Sequence, residues 1–337
     1  MILDTFKSLS KNSSIYVNIN PFFRQKIKSL IIKNYKSFRR FNHRWLKINQ
    51  GTLNWEFRKA QYHPLLRLLK IAEILKINRE EVFENIKGFR VSGSHKKNAL
   101  ILPRNININE NFVEGYALYI AEGDTGLCGK TTPRKLRFTN SDLGVIRFFI
   151  RWLNTQFPHI DFYLNVILPP GMVIPENSIN RIGEELNLDS KQIKIKNDYY
   201  NKKVKYRICS DNAILIDLIL SLEKTIKNIC TNDKKLAAAY IRGMMIGEGT
   251  AYFNRSRYVR IEMRNEKEIK YLLKLFRKLD FDCIPHLRSE RENMWSIYIG
   301  AKQLKKFYDE IGFGVHQERQ KILEAAVNKK LRVNQYI

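Results

Sequence analysis

GYALYIAEG, residues 115–123, and IRGMMIGEG, residues 241–249, decide how this 337-residue chain folds. Laid over each other so that Glu122 meets Glu248, each nonapeptide closes an apolar, helix-period segment with a Glu-Gly pair. Ala117 and Ala121 in the first stand where Gly243 and Gly247 stand in the second. Residues four apart share a helix face, and a face of such small residues lets two backbones approach closely. Helices packed in that way bring their C-terminal ends together, so Glu122 and Glu248 are predicted to sit side by side although they are far apart in the chain. Two neighbouring carboxylates repel unless a divalent cation neutralises them, and an all-oxygen donor set favours magnesium.

The match extends beyond the two motifs. RKLRFTN, residues 134–140, precedes a helix predicted from Leu143, and RYVRIEMRN, residues 257–265, precedes one predicted from Glu266. In the first copy Lys135, Arg137 and Thr139 alternate with Leu136 and Phe138, and Lys203, Lys205 and Arg207 alternate with Val204, Tyr206 and Ile208. Lys194 and Lys196 add to the same pattern. A period of two puts the cations on one sheet face and the apolar side chains on the other. In the second copy Arg255 and Arg257 fall out of step with Arg260, Glu262 and Arg264, which predicts a bend or bulge. A cationic sheet face suits a DNA groove, because it releases counterions while some side chains reach bases.

Composition points the same way. Sixty Lys and Arg against 33 Asp and Glu give a net charge of +27, a self-repelling surface that persists most readily beside a polyanion. The charge is uneven: +15 over residues 1–110, +2 over 111–233 and +10 over 234–337. Cysteines at 128, 209, 230 and 283 are too far apart for a zinc ribbon, and they do not suggest a disulfide framework. No apolar run is long enough to span a bilayer, and residues 1–10 lack a signal-peptide core. These readings predict a reduced, cytoplasmic protein with no membrane partner.

Gly88–Asn98 and Pro103–Asn111 are expected to form a linker, with a first domain ending near residue 105. Residues 1–105 are expected to be all-α, with a basic helix over Phe22–Phe41, a compact helix over Gln50–Lys59 and another opened by Pro64. LKINQGTLNWEFRKAQYHPLLRLLKIAEILKINREEVF, residues 46–83, resembles the Cro/repressor class of helix-turn-helix domain. The family's usual glycine after the recognition helix is replaced here by Lys59-Ala60. That resemblance implies that Gln50, Thr52, Asn54 and Arg58 face DNA, where amide and guanidinium groups can read purine edges.

Over residues 111–333 the chain resembles the LAGLIDADG homing endonucleases, with GYALYIAEG and IRGMMIGEG as two degenerate copies of the family motif. The resemblance implies an α+β monomer of two pseudo-symmetric αββαββα units, here residues 106–233 and 234–337, with saddle-shaped antiparallel sheets along the major groove of double-stranded DNA. It implies Mg2+ held by Glu122 and Glu248, two-metal hydrolysis, and a basic residue near the attacking water, for which Lys205 or Lys203 is the candidate. Met294–Ile299 has no matching lysine. Lys135, Arg137, Lys203, Arg207, Arg257, Arg260 and Arg264 are the expected DNA contacts from the sheets. Two other readings stay open: a DNA-binding regulator on an inactive scaffold of this type, and an RNA-binding or splicing maturase.

Overall fold

The protein is described from a computed structural model covering residues 1–91, 99–124, 135–288 and 293–328, apart from the side chains of Gln50 and Glu176. It is a mixed α/β molecule whose larger sheets are built mainly from antiparallel pairs. No described helix is long and apolar enough to cross a membrane.

The N-terminal part runs β1 (Ile2–Asp4), α1 (Thr5–Leu9), β2 (Ile15–Ile19), α2 (Pro21–Tyr35), α3 (Phe38–Phe41), α4 (Gln50–Arg58), β3 (Tyr62–Pro64), α5 (Leu65–Ile74), α6 (Arg79–Glu84), β4 (Ile86–Val91) and β5 (Asn105–Asn107). It is therefore not all-α. β2 is the centre of a three-stranded antiparallel sheet in the order β3-β2-β4. Its sequence, IYVNI, is β-branched and alternating, with Ile15, Val17 and Ile19 buried, which fits a half-buried strand. Gly88 belongs to β4 and not to a linker: a Cβ there would stand 2.6 Å from the Ala99 Cβ, so the glycine permits close approach of the following segment. Residues 92–98 of the expected linker lie outside the described residues. The expected boundary near residue 105 falls in β5, which pairs with β1.

Between α3 and α4 the chain makes one π-helical turn, Asn42–Leu46, and leaves it through Lys47 in the left-handed conformation (φ 53°). The Asn42 side chain clamps the turn, its amide donating to the Ile48 carbonyl at 2.6 Å and its oxygen accepting from the Ile48 N–H at 3.1 Å. Asn49 then caps α4 by accepting from the Gly51 N–H. Leu53, Glu56 and Phe57 face inward from α4, Glu56 paired with Arg67. Thr52, Trp55 and Arg58 are exposed and Asn54 is half-buried; the Gln50 side chain lies outside the described residues.

The rest of the chain forms two sheets. The first follows α7 (Glu110–Glu122) and contains β6 (Gly123–Asp124), β7 (Leu136–Asn140), β8 (Tyr163–Leu168), β9 (Ile193–Asn197) and β10 (Lys205–Ser210), in the order β6-β7-β10-β8-β9. Helices α8 (Leu143–Gln156), α9 (Glu176–Leu186), α10 (Ala213–Ser221) and α11 (Glu223–Asn232) accompany it. The second follows α12 (Lys234–Glu248) and contains β11 (Gly249–Phe253), β12 (Arg257–Met263), β13 (Pro285–Arg288) and β14 (Met294–Gly300), in the order β11-β12-β14-β13. With it go α13 (Glu266–Lys278), α14 (Leu304–Glu310) and α15 (Gln317–Asn328). The chain visits the four strands β6, β7, β8 and β10 in the same spatial order as β11, β12, β13 and β14. In the first sheet α9 and β9 are inserted between the last two, and β9 lies parallel to β8 at the edge.

α7 and α12 pack against each other along their small-residue faces. A Cβ added to Gly243 would stand 2.3 Å from the Glu114 carbonyl oxygen and 2.8 Å from the Ala117 Cβ; one added to Gly247 would stand 2.6 Å from the Ala121 Cβ and 3.0 Å from the Glu122 Cγ. The backbones are thus too close for any larger residue. The seam is pinned further along by Arg242, which pairs with Glu114 at 3.1 Å and donates to the Ile311 carbonyl.

At an ordinary helix position Gly→Ala stabilises by about 1 kcal/mol through backbone entropy. At Gly243 the clash is with backbone, so the sign is expected to reverse, with Gly243→Ala losing about 1–3 kcal/mol in denaturant unfolding. A stabilised variant would contradict the close packing.

Candidate active site

Glu122 and Glu248 are the last residues of α7 and α12. Each is followed by a glycine whose N–H closes the helix, Gly123 on the Tyr119 carbonyl and Gly249 on the Met245 carbonyl. A Cβ on either glycine would lie only 2.3 or 2.5 Å from that same carbonyl oxygen. Glycine therefore lets each chain turn directly from helix into strand β6 or β11, and this fixes both glutamates at the helix-to-sheet junction.

The site is electrostatically uncomfortable for two carboxylates. Burial, and then the charge of Glu248, push the Glu122 carboxyl up to about 7, against the opposing effects of Arg319, Lys205 and a 3.3 Å hydrogen bond from the Asn140 amide. Glu248 is also raised, by burial, and again Arg319 opposes the shift. Both acids sit at helix C-termini, where the macrodipole is negative. The chain answers this with Arg319 of α15, whose Nη1 donates to the carbonyls of Met245, Ile246 and Gly247 at 3.1, 2.6 and 3.0 Å. One guanidinium thus caps the last turn of α12 and partly offsets both carboxylates. Neither Arg319 nor Asn140 was expected from sequence.

Among the described residues no group of three or more His, Cys, Asp or Glu side chains could hold a metal ion. The two glutamates alone nevertheless fit a magnesium ion that keeps most of its coordination for water and phosphate, its usual manner. Two raised carboxyl pKa values at neighbouring helix ends also mark a place where a cation would relieve repulsion.

The predicted sheet cations divide into distinct groups. In the first sheet Leu136, Phe138 and Ile208 are buried against the helices, while the alternate residues form rungs across the opposite face. Thr139, Arg207, Asn165 and Lys194 lie in one rung, and Lys205, Ile167 and Lys196 in the next. Arg207 donates to the Thr139 hydroxyl at 2.9 Å, Arg137 pairs with Asp124 at 3.1 Å, and Lys135, just before β7, pairs with Asp211 at 2.7 Å. Lys205 opens β10 close enough to favour the ionised form of Glu122. Lys203 does not join this face, because it stands in the turn before the strand.

In the second sheet the chain bends at residues 254–256, between β11 and β12, where the expected slip begins. β12 itself pairs in unbroken register with β11 and β14, so Arg257–Met263 contains no bulge. Instead Arg257 shares the helix side with Val259 and Ile261 and donates to the Ala326 carbonyl of α15 at 3.0 Å, which removes it from the outer face. Arg260 does lie on the outer face, where it meets Glu262 at 3.1 Å; Arg264 follows the end of β12 and is exposed. Registers align Gly123, Phe138 and Ile208 with Gly249, Ile261 and Ile297. Three residues before Ile208 is Lys205, and three before Ile297 is Met294. The second half therefore has an uncharged side chain where the first has its lysine.

Because the folded-state value of Glu122, about 7, exceeds the ordinary 4.5, its protonated form is favoured by folding. Its contribution is full below pH 4.5 and is lost as pH rises through 7. In chelator, thermal stability is expected to fall across this window, and Glu122→Gln to flatten the fall. A profile identical in the two proteins would contradict the burial and pairing of this carboxyl.

No protein-family model matches the chain, and no curated protein matches it. Solved structures with a similar trace include I-DmoI in complex with DNA and manganese, at 13% identity and a TM-score of 0.39, covering 61% of this chain and 98% of that one. They also include the homing endonuclease I-WcaI bound to its DNA recognition sequence, at 13% identity and a TM-score of 0.40, covering 65% and 88%. A third is the N-terminal LAGLIDADG domain of DUF199/WhiA, at 13% identity and a TM-score of 0.34, covering 67% and 86%. At such scores and identities, the functional reading has to come from the residues of this chain.

Proposed function

We propose that the chain is a magnesium-dependent, site-specific endonuclease of double-stranded DNA, of the LAGLIDADG homing type. In this reading residues 106–233 and 234–337 are two copies of one αββαββα unit, and residues 1–105 carry a helix-turn-helix. The observation that carries it is the meeting of Glu122 and Glu248 at the ends of two closely packed helices, next to a sheet face bearing Lys194, Lys196, Lys205 and Arg207. Both acids come from one chain, so a monomer completes the site.

Glu122 and Glu248 would hold the divalent ions of a two-metal hydrolysis, with the remaining positions left to phosphate oxygens and water. When bound, the ions would supply Lewis acidity at the scissile phosphate and a bound water of lowered pKa. Arg319 keeps the last turn of α12 rigid and holds the Glu248 backbone in position. Lys205 orients the attacking water in the first half by hydrogen bonding. Its counterpart Met294 cannot do so, and the two strand cuts are therefore unequal.

The helix-turn-helix reading rests on α3 with its π-turn, the turn clamped by Asn42, and α4. Thr52, Asn54 and Arg58 would meet base edges. The exposed Trp55 lies between them on the same helix and adds an apolar contact surface to that face.

A second reading, a regulator that binds DNA without cutting, is favoured by two observations: Arg319 already offsets the carboxylates without any metal, and Met294 replaces a lysine. Incubating the full chain with a randomised duplex library, with and without magnesium, separates the two. Cleavage that needs magnesium and disappears in both Glu122→Gln and Glu248→Gln supports the nuclease, whereas selective retention with no cutting supports the regulator.

Two finer outcomes are expected. Lys205→Met should slow cleavage about a hundredfold while duplex binding is kept, the scale of a misplaced reacting group. Asn54→Ala or Arg58→Ala should weaken sequence-specific retardation by about 1–3 kcal/mol each, leaving non-specific binding in place. Indifference of both α4 variants would reduce the N-terminal part to a structural role.

A further inference from the structure

The two outer sheet faces carry different chemistry. On the first, among the described residues, no carboxylate pairs with the exposed Lys194 or Lys196, whereas Lys205 faces Glu122. On the second, among the described residues, Glu262 pairs with Arg260 at 3.1 Å and with Arg288 at 2.8 Å, which lowers the positive charge of that face. What it presents instead is aromatic. Tyr252 and Tyr258 stack with centroids 4.9 Å apart at 18°, Tyr258 meets Tyr298 edge-on at 5.5 Å, and His286 meets Tyr298 edge-on at 5.6 Å. The Arg260 guanidinium lies 5.7 and 6.0 Å from the Tyr298 and Tyr258 rings and reaches the Tyr298 hydroxyl at 3.4 Å.

These rings belong to β11, β12 and β14 at registers that alternate with the buried Ala251, Val259, Ile261, Ile297 and Ile299. They are therefore not core side chains. Tyr258 and Tyr298 are engaged with each other and with Arg260, and one face of Tyr252 is covered by Tyr258. An aromatic surface whose faces are taken offers little for an unpaired base to stack on, which disfavours single-stranded partners. Apolar edges and hydroxyls remain, and the feature of a duplex major groove that answers apolar surface is the thymine methyl group.

Resting on the DNA reading above, we infer that the two halves recognise one duplex by different means: the first sheet grips phosphates through lysines, and the second selects thymine-bearing base pairs through Tyr252, Tyr258 and Tyr298. Of the two sheet faces, the first then carries the salt-dependent contacts, and the second contributes sequence preference through uncharged contacts.

The test uses the full chain and a duplex it selects from a randomised library, together with the same duplex synthesised with deoxyuridine for thymidine. Lys194→Gln and Lys196→Gln should each reduce the slope of log affinity against log salt by about 0.9, the value for one phosphate contact. Tyr258→Leu and Tyr298→Leu should lose about tenfold in affinity with the slope unchanged, as for one mismatched base pair. Uridine should weaken the unmodified protein on a similar scale and leave the tyrosine variants indifferent. The uridine comparison needs no altered protein, so a misfolded variant does not spoil it. If uridine has no effect, if the selected duplex lacks thymine, or if the tyrosine variants change the slope as the lysine variants do, the division of chemistry is wrong while DNA binding stands. If no duplex is retained at all, the DNA reading itself fails.

Discussion

The close approach of α7 and α12 is the constraint on which the rest of the structure depends. Gly243 and Gly247 let one backbone rest on Ala117 and Ala121 of the other, with no room for a further methyl group. Because the contact continues to the last turn of both helices, it delivers Glu122 and Glu248 to one corner. Because Gly123 and Gly249 end the helices abruptly, each chain passes at once into the first strand of a sheet. Helix packing, the carboxylate pair and the position of both sheets are consequences of one seam.

That seam creates an electrostatic problem which the remaining elements answer. Two acids at two helix C-termini are raised by burial and, for Glu122, by the other acid's charge. Arg319 answers from α15 by taking three carbonyls of the last turn of α12, and Lys205 answers from β10. In the proposed reading the pair still holds negative charge where a cation and a phosphate would meet, and whether the protein cuts or only binds depends on how much of that charge Arg319 leaves for the ion.

Much of this was legible in the sequence, for physical reasons. Small residues four apart followed by Glu-Gly carry their own packing rule, and period-two cations name a sheet face. What could not be read depends on partners distant in the chain. Arg319 sits in QERQKILEAAVN, an ordinary amphipathic segment, and its role exists only because α15 packs at the end of α12. Arg257 looked like one more outward cation until the unbroken register of β12 turned it toward α15. The N-terminal sheet was missed because β2 is five residues long and both its partners, β3 and β4, lie beyond intervening helices. Gly88 looked like a linker residue, whereas its lack of a side chain serves a close contact with Ala99. The aromatic, partly charge-compensated face of the second sheet likewise required the register that brings Glu262 between Arg260 and Arg288.

The central claim is that Glu122 and Glu248 act as one cation site. Manganese binding followed by electron paramagnetic resonance, in the presence of duplex DNA, tests it most directly. The account predicts saturable binding in the unmodified chain, a large loss in Glu122→Gln or in Glu248→Gln, and little further loss in the double variant, because residues that share one ligand are not additive. Losses that simply add, or manganese binding untouched by either change, would contradict it.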